Sequence, residues 1–216
     1  MTRSSSNWMQ KPGNFDALNT SLLFEGSGPL DIPRLRHTPL VYTPEELVAF
    51  RDKVTPAPDR QAVHFFADDY RFESVWHRRE QALKYLTPYG MLLTPDFSLY
   101  MDYPLAVQIW NVYRSRWCGA YWQSLGFQVI PSISWSTPAS YQFCFAGLPL
   151  RSLVAVSTLG VRRDDTALFA QGYRELVARL KPSRVLCYGK RLPADIEGLA
   201  EVCYYVPKTD RVRNRV

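Results

Sequence analysis

VHFFADD, at residues 63–69, is the first of six short apolar runs in this chain that end in small or acidic polar residues. The others are MLLTPDFS at 91–98, FQVIPSISW at 127–135, SLVAVSTLG at 152–160, RVLCYGK at 184–190 and EVCYYVP at 201–207. Stretches with helical periodicity separate most of these runs. Such alternation is typical of repeated β-strand/α-helix units, and near-continuous apolar strands indicate a parallel sheet that is buried on both faces.

The pattern therefore predicts an α/β fold with a mainly parallel sheet of six or seven strands and helices on both faces. A standard eight-unit barrel takes about 250 residues, whereas this chain has 216. A barrel would accordingly be a shortened or incomplete TIM-like barrel. An open doubly wound sheet is the alternative, and either architecture places its ligands at the carboxyl ends of the strands.

Three segments are predicted along the chain. Residues 1–37 are rich in Ser, Gly and Pro without sustained periodicity, which indicates a poorly ordered N-terminal arm. Residues 38–207 form a single α/β domain. Residues 208–216 form a basic C-terminal tail, which is more typical of a solvated chain end than of a binding device.

Helix signals occur at four places. Thr43 followed by Pro44 and two glutamates predicts a helix that begins there and ends near Lys53. Apolar spacing predicts helices over 72–86 and 165–181, and a long helix from about Asp102 to Gly126.

Charge, cysteine content and the absence of long apolar runs indicate which ligands, metal sites and cellular location to expect. The chain carries 26 Lys+Arg against 20 Asp+Glu, a formal net charge of +6, which permits attraction to phosphate without demonstrating it. The four cysteines form no CxxC pair and no histidine lies near them in sequence, so a zinc site is not expected. No signal peptide or apolar run of membrane-spanning length is present, which predicts a cytoplasmic protein without membrane contact.

Acidic residues at the strand ends are the candidates for catalysis, namely Asp68, Asp69 and Asp96. Two or three carboxylates on one rim could act as acid and base, or could hold a divalent cation through oxygen ligands. The alternative is that they cap the helices that follow, as Asp commonly does. Asp96 is the least explained by capping, since it follows Pro95 and lies several residues before the next helix.

Polar and aromatic residues near the same rim are the candidates for ligand binding. Asn111 and Arg114 are three residues apart on one helix face, where they could contact a phosphate or a base edge or could simply form a polar surface stripe. Trp135 could form a stacking surface or cover the core. The full set is Ser98, Asn111, Arg114, Ser132, Trp135, Tyr188 and Lys190.

Several common catalytic signatures are absent from the sequence. It contains no GxxxxGK[ST] phosphate loop, no GxGxxG after a strand and no GxSxG nucleophile elbow. Common nucleotide-binding devices are therefore unsupported; the cofactor stays unknown, with a divalent cation as the one candidate and no metal ligand set identified.

The run PDFSLYMDYPLAVQIWNVYRSRWCGAYWQSLGFQVIPSISW at 95–135, followed by VAVSTLGV, a helix containing Gly-Tyr and VLCYGK, resembles the family designated DUF4417. Members of that family occur in bacteria, phages and other mobile elements. The resemblance spans about residues 65 to 206 and implies an α/β domain and a phage or plasmid origin, hence a host cytoplasm, but no particular reaction. The matching positions are Asp96, Ser98, Asp102, Asn111, Arg114, Pro131, Trp135, Gly160, Tyr188 and Gly189.

Three functions remain open from the sequence. The first is an enzyme-like phage or mobile-element protein that acts on a nucleic acid or a phosphorylated ligand, with Arg114 and Lys190 holding phosphate. The second is a non-catalytic interaction protein that binds a host factor. The third is a small-molecule hydrolase or lyase, which a deep pocket between Asp96 and Tyr188 would favour.

Overall fold

The computed structural model describes residues 16–37, 43–52 and 57–207. Two short strands, β1 (Gly26–Ser27) and β2 (Ile32–Pro33), precede the main sheet. The sheet and its helices follow as β3 (Glu46–Ala49), β4 (Gln61–His64), α1 (Ser74–His77), α2 (Arg79–Leu86), β5 (Met91–Leu93), α3 (Leu105–Ser124), β6 (Gln128–Ile130), β7 (Leu153–Ser157), α4 (Thr166–Leu180), β8 (Arg184–Tyr188), α5 (Ala194–Glu197) and β9 (Val202–Tyr205).

Seven parallel strands form the centre of the molecule, and their order follows the chain. β3 to β6 pair in sequence as one four-stranded parallel sheet, and β7 to β9 pair as a three-stranded one. A parallel bridge between Ser132 and Ala155 joins the two, with backbone hydrogen bonds from Ile133 to Ala155 and from Ala155 to Pro131. The predicted mainly parallel α/β fold is confirmed. The strand-order reversal that defines a doubly wound sheet does not occur among the described strands.

Side chains alternate between the two faces of each strand, as the pleat requires. One face of every strand from β3 to β9 contributes to a single buried cluster. Apart from Phe66, which lies in the loop after β4, the cluster contains only strand residues. Its members are Leu47, Ala62, Phe66, Met91, Leu93, Ile130, Leu153, Ala155, Leu186, Tyr188 and Tyr205. The opposite faces pack against the helices. The helices therefore lie on one face of a curved sheet and not on both, because crossovers of one hand place every helix on the same side when strands follow chain order.

The first and last parallel strands approach each other without backbone pairing. The Tyr205 hydroxyl of β9 donates a hydrogen bond of 2.6 Å to the carbonyl of Pro44, just before β3. The Arg184 guanidinium of β8 hydrogen-bonds the Thr43 hydroxyl. No closed barrel forms in the described ranges, since β3 and β9 share no ladder.

α3 is the helix that packs most deeply, and it buries polar as well as apolar residues. Trp117 and Cys118 are fully buried, while Gln108, Asn111 and Arg116 are each less than 5% exposed. A helix that buries polar groups must provide them with partners, because an unpaired buried polar group costs about 1–3 kcal/mol. Those partners are the loops at the carboxyl ends of the strands, and they are described below.

The chain before the sheet packs against α3. β1 and β2 pair antiparallel through a turn in which Gly28 and Asp31 have positive φ. Ile32 is fully buried, and the backbone N–H of Leu35 donates to Gly147. The sequence contained no Asn-Gly or Asp-Gly signal for this hairpin, so the pairing was not predicted. The expected basic tail at 208–216 lies outside the described residues.

Two helix predictions were wrong in detail. The segment predicted as a helix from Thr43 contains β3, because Leu47 and Val48 enter the two buried faces of the sheet and the parallel ladder to β4 outweighs the local helix signal. The helix predicted over 72–86 is interrupted at Arg78, whose φ of −134° is not helical. No helix in the described part of the chain is long and apolar enough to cross a membrane.

Candidate functional site

A cleft of about 570 Å³ opens at the carboxyl ends of β4 to β7, where ligands are expected in a parallel sheet. We call it the strand-end cleft. Each loop that follows one of these strands contributes to its wall, as does the start of α4. The residues that matter below are Asp68, Arg71, Asp96, Ser98, Tyr100, Met101, Ser134, Trp135, Ser136, Ser157, Asp165 and Phe169.

Asp96 lies between the strand-end cleft and a small inner cavity of about 10 Å³ behind it, and lines both. Burial raises the pKa of the Asp96 carboxyl to about 6, and the nearby carboxylate of Asp69 acts in the same direction. A hydrogen bond with Ser134 and the positive charge of Arg116 oppose that increase. Asp96 can therefore exchange a proton near neutral pH, which is the property required of a general acid or base.

A chain of hydrogen bonds supports the loop that carries Asp96. Asp69 accepts from the Ser98 backbone N–H at 3.1 Å and from the Ser98 hydroxyl at 2.8 Å. The Ser98 carbonyl accepts from Asn111 Nδ2 at 2.7 Å, and Asn111 Oδ1 accepts from Arg114 at 2.7 Å. Asp69 and Asn111 thus hold the loop from opposite sides and fix its path along the cleft.

Arg114 is part of this support and does not line the strand-end cleft. Its guanidinium pairs with the Glu73 carboxylate and lies 3.8 Å from the centroid of the Phe97 ring. The residue is only 9% exposed. Its charge is therefore already balanced, and its donors face the protein interior.

Arg116 is a buried cation behind Asp96. Its guanidinium donates to the backbone carbonyls of Cys144 at 2.8 Å and Ser132 at 3.2 Å, with a longer contact to Ala146 at 3.4 Å. Burial lowers the pKa of Arg116 to about 10, while the charge of Asp96 acts to raise it, so the group stays protonated near neutral pH. Through these hydrogen bonds Arg116 links α3 to the segment after β6 and to the turn at 142–146.

Trp135 forms an aromatic wall of the strand-end cleft and is held by α4. Its ring centroid lies 5.2 Å from that of Phe169 and 6.5 Å from that of Phe145. On α4, Gly172 faces the indole so closely that an added Cβ would lie 2.1 Å from Trp135 Nε1. The indole can occupy this position only because residue 172 has no side chain.

Substitution of Gly172 by alanine should therefore displace Trp135. We expect a net loss of about 1–2 kcal/mol in the free energy of unfolding, because overpacking outweighs the gain in helix propensity. Urea denaturation followed by tryptophan fluorescence measures both the stability and the ring environment. The double variant Gly172→Ala with Trp135→Phe should recover part of the loss, since the smaller ring leaves room. Strictly additive losses would contradict the contact.

The remaining predicted site residues lie at different distances from the cleft. Asp68 lines it beside Arg71, with 3.5 Å between the carboxylate and the guanidinium. Ser132 lines the inner cavity, and its hydroxyl has no hydrogen-bond partner. Tyr188 lies on the face of the sheet that carries no helices, where its ring stacks on that of Phe66 with 5.4 Å between the centroids. Phe66 in turn lines the cleft.

Lys190 is exposed and does not line the strand-end cleft. Its backbone carbonyl accepts a hydrogen bond of 2.9 Å from the Thr158 hydroxyl. The structure therefore brings Asp68, Asp96, Ser98 and Trp135 together at one cleft. It places the other predicted residues behind that cleft, beneath it or away from it.

Sequence reasoning missed three residues that shape the site, namely Arg71, Arg116 and Asp165. Asp165 precedes α4 directly, but its side chain makes no capping hydrogen bond and the residue lines the cleft. Arg71 follows the two strand-end aspartates closely enough to have been considered. Arg116 had no signal of its own, because a basic residue within a helix is usually exposed.

Metal binding by the predicted carboxylates would require several of them to converge on one point. Among the described residues, no group of three His, Cys, Asp or Glu side chains converges closely enough to hold a metal ion. Within the cleft itself, three carboxylates, those of Asp68, Asp96 and Asp165, face one guanidinium, that of Arg71.

Comparison with known proteins places this chain among phage-related sequences. It is 47% identical to "Gene 1 protein" of Mycobacterium phage L5 over 220 residues, which covers 100% of this chain and 95% of that protein. It is 46% identical to "Gene 1 protein" of Mycobacterium phage D29, covering 100% of this chain and 81% of that protein. No solved structure shows significant similarity to it. The profile of the family described as "Domain of unknown function (DUF4417)" matches residues 24–206, a range that includes every strand and helix named above, and the chain belongs to that family.

Proposed function

We propose that this protein is an enzyme that binds a small molecule in the strand-end cleft and uses Asp96 as a general acid–base group. The observation that carries the proposal is the position of Asp96, a carboxyl with a pKa of about 6 in the wall of the strand-end cleft. Perturbed carboxyls in clefts are typical of catalytic sites. A hydrolase or a lyase fits this chemistry, since each needs a proton to be moved near neutral pH.

The support around Asp96 agrees with that role. Ser134 hydrogen-bonds the carboxyl, and Asp69 with Asn111 fixes the loop on which it lies. A catalytic group must be held in position before the substrate arrives, and rigid second contacts provide this. The aromatic wall of Trp135 and Phe169 offers an apolar surface on which a substrate can lie.

Replacing Asp96 with asparagine should slow the reaction by a factor of about 10²–10⁴. Since the substrate is unknown, the measurement is mass spectrometry of a mycobacterial metabolite extract incubated with the protein. Compounds consumed by the wild type should persist with Asp96→Asn.

The matched control for that experiment is Asp102→Asn. It removes a carboxylate from an exposed position in the same loop that does not line the cleft. Consumption by the control but not by Asp96→Asn supports the proposal. Equal consumption by wild type and Asp96→Asn, or none by any of the three proteins, counts against it.

A nucleic acid or a phosphorylated ligand in the same cleft has weaker support. The net charge of +6 attracts polyanions. The two cations proposed to hold phosphate are elsewhere, because Arg114 pairs with Glu73 and Lys190 does not line the cleft. Mobility-shift assays at low salt with single- and double-stranded DNA and RNA test this alternative, and a shift lost on substitution of Arg71 would favour it.

A second candidate function is that of a non-catalytic protein that binds a host factor. Exposed apolar side chains near the cleft favour it, since Tyr70 is 74% exposed, Tyr100 57% and Met101 54%. Apolar surface of this kind is common at interaction sites. If binding is the whole function, Tyr100→Ser should abolish it while Asp96→Asn leaves it intact.

A further inference from the structure

The charges of the strand-end cleft are the first indication of what it binds. Asp68, Asp96 and Asp165 line it, whereas Arg71 is the only basic side chain in the described lining and lies beside Asp68. Asp69 adds a further carboxylate directly behind Ser98. The described lining therefore carries more carboxylates than basic groups, although the whole chain carries a net positive charge.

The serine hydroxyls of the cleft indicate the same kind of ligand. Ser98 donates its proton to Asp69, Ser136 to the Gln108 amide oxygen and Ser157 to the Tyr188 carbonyl. Ser134 is hydrogen-bonded to Asp96. Because these protons are donated within the protein, the hydroxyls can meet a ligand only as acceptors, although the Ser157 oxygen also accepts from the Leu159 backbone N–H. A ligand that donates hydrogen bonds is complementary to these acceptors.

The apolar part of the cleft completes the description. Trp135 is held in place by Gly172 and Phe169, which fixes an aromatic wall beside the carboxylates. Tyr100 and Met101 extend this surface to the exposed edge. A cation near the face of a Trp or Tyr ring is attracted by the ring, and an apolar chain attached to it can cover the remaining surface.

We infer that the strand-end cleft binds an organic cation, an amine or a guanidinium carried on an apolar chain. The inference deepens the proposed function by naming its substrate class, and it rests on that proposal only for the location of the ligand. The cation can belong to a free metabolite or to a Lys or Arg side chain of a peptide. Both sources present the same chemistry to Asp96, Asp165 and Trp135.

Binding is tested without turnover, by isothermal titration calorimetry of the whole protein at neutral pH. The free probes are n-butylamine, n-butylguanidine, n-butanol and n-butyl phosphate, which share one apolar chain and differ in charge. The peptide probe is acetyl-Gly-Arg-Gly-amide, and magnesium chloride alone tests for a metal ion. We expect the amine and the guanidine to bind about tenfold more tightly than the alcohol.

A pair of neighbouring aspartates provides the control. Asp165 lines the cleft, whereas Asp164 is exposed and does not, so Asp165→Asn and Asp164→Asn make the same change of charge one residue apart. We expect Asp165→Asn to weaken amine binding several-fold and Asp164→Asn to leave it unchanged. Added salt should weaken amine binding in the wild type.

The outcomes distinguish a metabolite from a peptide side chain as the source of the cation. They also distinguish binding of a cation from catalysis by Asp96. Tighter binding of the arginine peptide than of n-butylguanidine supports a side chain as the source, and the reverse supports a metabolite. Binding of n-butyl phosphate or of magnesium in preference to the amine overturns the inference, as does equal binding of amine and alcohol. Amine binding without consumption of any metabolite would retain this inference while the proposed catalytic role of Asp96 fails.

Discussion

Asp96→Asn should be more stable than the wild type above about pH 6, by on the order of 2 kcal/mol at about pH 8. Burial holds the pKa of Asp96 at about 6 in the folded state, whereas its ordinary value is 3.8. Between these two values the folded protein binds a proton that the unfolded chain has released, so stability falls as the pH rises from about 4 to 6. Above that window the folded protein contains a disfavoured carboxylate, which asparagine removes.

The measurement is the difference in unfolding free energy between the two proteins, from urea denaturation at about pH 4, 6 and 8. Every other titrating group is common to both proteins, so the difference isolates residue 96. The groups that set its pKa, Ser134, Asp69 and Arg116, are unchanged in the variant. We expect the gain to be small near pH 4 and to reach its plateau above pH 6. A variant that is equally stable or less stable at pH 8 would contradict the account of Asp96.

Arg116→Leu should lose about 3–5 kcal/mol of unfolding free energy, the largest loss expected for any single substitution discussed. The guanidinium donates to the carbonyls of Ser132 and Cys144, and leucine would leave those buried acceptors without a donor. Arg116→Lys should lose less, because an ammonium group keeps the charge but cannot reach several carbonyls at once.

Arg174→Leu is the control for that substitution. Arg174 is exposed on α4 and pairs with Asp195, so its removal should cost less than about 1 kcal/mol. Because the charge of Arg116 acts to lower the pKa of Asp96, that pKa should rise further in Arg116→Lys if the ammonium withdraws. Equal stability of Arg116→Leu and Arg174→Leu would show that the bonds from Arg116 to the Ser132 and Cys144 carbonyls do not hold these segments together.

The alternation of apolar runs and helices predicted most of the sheet, because strands buried on both faces need continuous apolar residues. Every strand from β4 to β9 lies within one of the predicted runs or overlaps it. β3 was missed because Thr43 and Pro44 imitate a helix start, and only pairing with β4 and burial of Leu47 and Val48 make it a strand. The packing of all helices on one face depends on strand order, which local sequence does not contain.

Part of the site could also be predicted from the apolar runs that form the strands. The loops after the strands carry the four residues that line the cleft as predicted, Asp68, Asp96, Ser98 and Trp135. They could be predicted because parallel strands bring their carboxyl ends to one edge of the sheet. Arg114 was expected to hold phosphate, but its partner Glu73 is 41 residues away and cannot be identified from helix spacing. Gly172 could not be recognised as the contact of Trp135 for a similar reason, because the two lie on different elements.

The acid–base role of Asp96 is tested by titrating its carboxyl with carbon-detected NMR. We expect a midpoint near pH 6 for this carboxyl, which is buried beside Asp69, and a lower midpoint when n-butylamine is bound, since a bound cation favours the charged form. A midpoint at or below about 4, unchanged by the amine, would mean that Asp96 is an ordinary solvated carboxylate. In that case the strand-end cleft would have no acid–base group, and the proposed chemistry would be wrong.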